Sequence, residues 1–129
     1  MSKKVLSVID TAYRATQEEQ DDAGLWMTAA AKNAGVEDVT VLLTGNAVNY
    51  AVKEIDLDPM TLGGGSVPHP FDAAGDIQRM ADKGIEFFLI REDAEERGIN
   101  PDTMLSCVEA ISRSQLAGFV DGYDSIWHW

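Results

Sequence analysis

Thiols, imidazoles and positive charges are all scarce in this sequence. Cys107 is the single cysteine among 129 residues, which excludes an internal disulfide and a cysteine-rich zinc site. His69 and His128 are the only two histidines. They would make a metal centre only by meeting and recruiting a carboxylate, so no metal and no cofactor is expected. Ten Lys and Arg stand against 22 Asp and Glu, a net charge of −12. Nucleic-acid binding depends on neutralising phosphates with Lys and Arg, and anionic membrane surfaces recruit the same side chains. Neither partner is expected. No apolar run approaches the roughly 18 residues of a membrane span. The apolar stretch after Lys3 and Lys4 stops at Asp10, too short for a secretory signal. A cytoplasmic protein is the expectation.

What is present is the pattern of one α/β domain over residues 1–129. A chain of this length with 45% hydrophobic residues buries about two thirds of its unfolded surface and is too apolar for a disordered acidic chain. Short apolar runs at residues 5–9, 39–43 and 85–90 read as buried strands. Ala23, Trp26, Met27, Ala30 and Ala34 recur at helical spacing. Thr16 and Glu19 form a capping box before them, and Asn33 and Gly35 close the helix. Val48, Ala51, Val52 and Ile55 predict a short second helix. Ala73, Ile77, Met80 and Ala81 predict a third, capped by Asp72 and ended by Gly84. Residues 92–97 read as a brief acidic helix with a solvated face, stopping at Gly98.

Asn100 and Pro101 open a further predicted helix over residues 101–112, with Met104, Leu105, Val108 and Ile111 on its buried face. Residues 56–71 hold three of the four prolines and the glycine run 63–65 and read as a long loop. That run lacks the lysine and following helix of a phosphate loop. Leu116, Phe119 and Val120 form another apolar cluster. Residues 125–129 read as a terminal strand with Trp127 and Trp129 on one face. The alternation predicts a three-layer α/β/α sandwich with a mostly parallel sheet of four or five strands. Ligands of such sheets collect beyond the carboxyl ends of the strands, here the loops at 10–14, 44–46 and 90–93.

Four stretches carry a family resemblance. They are the opening strand with its loop from Thr11 to Tyr13, Val41-Leu42-Leu43-Thr44-Gly45-Asn46-Ala47-Val48, the segment from Met80 to Ile99, and the ending Asp121-Gly122-Tyr123-Asp124-Ser125-Ile126. In this serial order the chain resembles the DsrE/DsrF-like sulfur-relay family from Lys4 to Trp129. The resemblance implies that active members present a cysteine where the third strand ends and the next helix begins. A helix N-terminus there favours the thiolate that a persulfide carrier needs. The matching positions are Ile90 and Arg91, and neither side chain holds sulfur. The resemblance therefore implies a non-catalytic or divergent accessory subunit related to intracellular sulfur trafficking. It also implies a homo-oligomer (trimer or hexamer) or an assembly with related subunits, and a sulfur-carrier partner.

Two other functions are compatible with the residues. A sulfurtransferase or persulfide carrier would have to use Cys107, which on the flank of the expected helix reads as a small buried hydrophobe with no Lys or His beside it. A small-molecule binding module would use Tyr13, Asn46 and Arg91 around a pocket at the strand carboxyl ends. Each has a plainer explanation. Tyr13 packs, Asn46 caps the second helix, and Arg91 pairs with Glu95 one helical turn on.

Overall fold

The computed structural model describes residues 4–10, 23–35, 38–52, 60–62, 65–67 and 73–128. In chain order its elements are β1 (Lys4–Ile9), α1 (Ala23–Asn33), β2 (Asp38–Leu43), β3 (Met60–Leu62), β4 (Gly65–Val67), α2 (Ala73–Asp82), β5 (Glu86–Ile90), α3 (Arg91–Glu96), β6 (Val108–Ile111), α4 (Leu116–Val120) and β7 (Ser125–His128). Five strands form one sheet in the order β6-β5-β2-β1-β7, and every pairing in it is parallel. The expected α/β sandwich is what the chain builds. Among the described residues, no helix is long and apolar enough to cross a membrane.

Alternation along the strands makes two cores, because successive side chains point to opposite faces. Ile9, Val41, Leu43, Phe87, Leu89 and Val108 pack on one face with Ile77 and Met80 of α2. Tyr50, wholly buried, joins them from a 3-10 helix spanning Gly45–Ala51. Leu6, Leu42 and Ile90 face the other way, against Phe88 and the Leu116, Phe119 and Val120 side chains of α4. Among the described residues, Ser7 and Thr28 form a polar pair inside, both fully buried, whose hydroxyls share a 2.9 Å hydrogen bond between β1 and α1. A hydroxyl buried without such a partner would destabilise the fold by about 1–3 kcal/mol.

The predicted helix stops at Gly84 and Gly98 are present, with φ of 97° and 69°. At each stop the glycine N–H and the next N–H return to the last turn: Gly84 to Ala81 and Ile85 to Met80, then Gly98 to Glu95 and Ile99 to Ala94. This double return needs a left-handed residue, which glycine adopts without a Cβ clash.

Three expectations are corrected. The helix expected over 101–112 is a single 3-10 turn, Pro101–Thr103, followed by strand β6. Asn100 still caps that turn by accepting from the Asp102 N–H. Beyond it, the Leu105 N–H is taken by the Ala51 carbonyl at 2.8 Å, and Val108 to Ile111 pair with β5. Those tertiary hydrogen bonds override a three- and four-residue spacing that local periodicity cannot separate from a short strand. The second helix is the 3-10 run Gly45–Ala51, ended by Val52, which bridges to Met104 in extended conformation. Within the expected long loop, β3 and β4 pair as an antiparallel ribbon. Its Thr61 and Val67 are β-branched residues that suit such pairing, a signal outweighed by the local proline and glycine content. The Thr16 and Glu19 capping box and Asp72 lie outside the described residues.

Candidate functional site

β5 and β6 lie side by side, but the chain leaves them toward opposite faces. After β5, α3 packs on the first core through Ala94. After β6, the chain turns to α4 on the second core. Adjacent parallel strands with diverging exits open a crevice at their carboxyl ends. Arg91 begins α3 at this junction, and Ser112 and Arg113 follow β6. The Ser112 N–H donates to the Gln115 side chain at 2.9 Å, which fixes the exit from β6.

Asp93 organises the edge. One of its oxygens accepts from the Gly45 N–H at 2.9 Å and the other from the Arg113 guanidinium at 2.5 Å. Glu92 accepts from the Arg113 N–H at 2.7 Å. Arg97 donates to the Asn46 side-chain oxygen and to the Asp93 carbonyl, both at 3.0 Å. The ends of β2, β5 and β6 are thus tied through α3. Sequence reasoning took residues 92–96 for a solvated acidic face. It missed Asp93, Arg97 and Arg113 because Asp93 joins Gly45 to Arg113 and Arg97 holds Asn46, partners 20 to 51 positions apart in the sequence.

Gly45 makes this geometry. Its φ is +54°, and a Cβ there would stand 3.1 Å from the Asp10 carbonyl oxygen. Gly45→Ala is expected to reduce unfolding free energy by about 1–2 kcal/mol, the cost of a left-handed L-residue. Urea unfolding reads this directly, and an unchanged midpoint would contradict the backbone conformation.

The sequence-predicted candidates separate. Arg91 is exposed and makes no ion pair among the described residues; the expected pair with Glu95 does not form. An Arg placed N-terminal to its Glu is the weaker order for such a pair. Asn46 does not cap the 3-10 helix with its side chain; it is held by Arg97 instead. Arg91 and Arg97 are about 9 Å apart along the α3 axis at 1.5 Å per residue, so Asn46 sits at the far end of α3 from Arg91. Tyr13 lies outside the described residues.

Cys107 is not on a helix. It immediately precedes β6, at the amino edge of the sheet. The four residues of β6 place it about 13 Å from the crevice at 3.3 Å per residue. It packs half-buried against the first core. Burial pushes its thiol above the usual value, and the Asp82 carboxylate pushes the same way.

A further pair was missed. The His128 imidazole and the Asp10 carboxylate meet at 2.6 Å, because β1 and β7 are parallel neighbours with Val8 opposite His128. Nothing local in the sequence marks this contact. Among the described residues, no group of three or more His, Cys, Asp or Glu could hold a metal; His69 lies outside them.

Comparison with known proteins decides the family. The model of the DsrE/DsrF-like family matches residues 3–127. The chain belongs to the DsrE/DsrF-like family. No curated protein matches the sequence. Among solved structures, the ychN protein from E. coli is similar with a TM-score of 0.75 at 14% identity, over 98% of this chain and 99% of that one. A protein of unknown function from Bacteroides thetaiotaomicron, BT1422, gives 0.67 at 13% identity, over 98% and 95%. Another from Methanobacterium thermoautotrophicum, MTH1491, gives 0.63 at 16%, over 98% and 99%. At these identities the likeness is one of fold. In this DsrE/DsrF-like chain the β5–α3 junction carries Ile90, 2% exposed, and the exposed Arg91.

Proposed function

We propose that this DsrE/DsrF-like protein is a non-catalytic or divergent accessory subunit related to intracellular sulfur trafficking in the cytoplasm. It acts in a homo-oligomer, a trimer or hexamer, or beside related subunits and a sulfur-carrier partner. The observation that carries this reading is the β5–α3 junction, where Ile90 and Arg91 stand at the position implied to hold a cysteine in active relatives. Sulfur transfer needs a thiolate that can reach its cargo. The location of Cys107 at the opposite edge, with a raised pKa, weighs against the rival reading of a persulfide carrier using that residue. Assembly is supported by Ile126, an apolar residue 49% exposed on a strand beside β1.

The test is native mass spectrometry after incubation with a persulfide donor. The expected result is a multiple of the 14.1 kDa subunit with no gain of the roughly 32 Da that one persulfide sulfur adds. A stoichiometric gain that disappears in Cys107→Ser would overturn the proposal in favour of the carrier. A second reading, a small-molecule binding module, is favoured by the exposed guanidinium of Arg91 at the crevice, which has no ion-pair partner among the described residues and suits an anionic ligand. A small molecule retained natively and lost in Arg91→Ala would select it.

A further inference from the structure

At the amino edge of the sheet, opposite the crevice, lies a groove of about 360 Å3. Lys4, Asp38, Thr40 and Glu86 line it from the strand starts, and Phe119 and Tyr123 from the other side. Pairing brings the strand residues together: Lys4 lies opposite Asp38, and Thr40 lies opposite both Leu6 and Glu86. All therefore point to the face on which Leu6 packs with Phe119 and Tyr123. The two rings are 5.4 Å apart at a 53° tilt. The turn that carries Tyr123 is pinned to β1, since the Lys4 N–H donates to the Asp124 carboxylate at 2.9 Å and the Asp124 N–H to the Lys4 carbonyl at 2.8 Å.

Thr40 is only 7% exposed, yet its hydroxyl has no hydrogen-bond partner among the described residues. No fully buried side-chain oxygen among the described residues lacks a partner, so this hydroxyl opens onto the groove that Thr40 lines. Glu86 beside it is exposed and has no ion-pair partner among the described residues. Asp38 has an interaction of its own, so Glu86 is the lining carboxylate without an ion-pair partner among the described residues, within a chain of net charge −12.

We propose that this groove binds a small protonated organic amine on an apolar stem. The ammonium donates to the Glu86 carboxylate and the Thr40 hydroxyl, a charge-assisted arrangement. The stem lies against Phe119 and Tyr123, whose ring faces also attract a cation. A carboxylate or phosphate ligand seated on Thr40 would instead meet the like charge of Glu86 beside it. This site is independent of the accessory role and of the crevice, so either can fail alone.

The experiment is a titration of the full chain with phenethylamine, followed by amide NMR shifts. Saturable shifts are expected at Thr40, Glu86 and Tyr123. The anion 3-phenylpropionate, with a similar ring and stem, is expected to give none. Glu86→Gln should weaken amine binding about tenfold, and Thr40→Val should weaken it several-fold. Glu86 is exposed, so its variant keeps the fold. The proposal is overturned if the amine gives no saturable shift at those amides, if the anion binds as tightly, or if both variants bind the amine unchanged.

Discussion

Arg91→Cys, made in a Cys107→Ser background, is expected to react with iodoacetamide at least about tenfold faster than Cys107 does in the natural sequence. The new thiol would begin α3 at the crevice, where Arg91 is exposed. Cys107 is half-buried, and desolvation holds its proton on. Only the thiolate alkylates, so the Cys107 rate stays low until the pH passes the usual thiol value. The carboxylates of Glu92 and Asp93 beside the new thiol are already engaged by Arg113 and Gly45. Their negative charge keeps it an ordinary thiol rather than an activated one, so accessibility supplies the difference. Equal rates for the two thiols would mean that the β5–α3 junction is closed, and the role assigned to the crevice would lose its physical basis.

Phe87→Ala is expected to lower the unfolding free energy by about 3–5 kcal/mol, the usual cost of removing a buried phenyl ring and leaving a cavity. Phe87 is 1% exposed and lies between Val41 of β2 and Val108 of β6. All three side chains point into the first core, so no neighbour can fill the space without moving a strand. Domains of this kind are stable by about 5–15 kcal/mol, so the variant sits close to unfolding at room temperature. Urea unfolding measures the loss. Phe88, one residue on, faces the second core and is only partly buried, so its alanine variant loses less. A Phe87→Ala loss below that of Phe88→Ala would reverse the assignment of the two faces.

The strands at residues 39–43 and 85–90 were legible because their apolar runs carry few polar residues, as strands covered on both faces require. The stops at Gly84 and Gly98 were legible because each rests on one left-handed glycine. The stretch 101–112 was not. Met104, Leu105, Val108 and Ile111 fit a helical stripe, yet Met104, Leu105 and Val108 serve the first core while Ile111 serves the second. Only pairing with β5 distinguishes these uses. The error reached the site, because it placed Cys107 in a helix rather than at the start of an edge strand.

The residue identities alone determined that no thiol stands at positions 90 and 91, that the chain is strongly acidic, and that a parallel α/β sheet of this family's pattern would form. Those properties reside in single residues or in periodicities a few positions long. The tertiary structure decided which sheet edge receives Cys107. It also joined Asp93 with Arg113 and Asp10 with His128, partners 20 and 118 positions apart. Parallel strands meet only through crossovers, so the contacts at their ends depend on strand order, which local patterns do not encode.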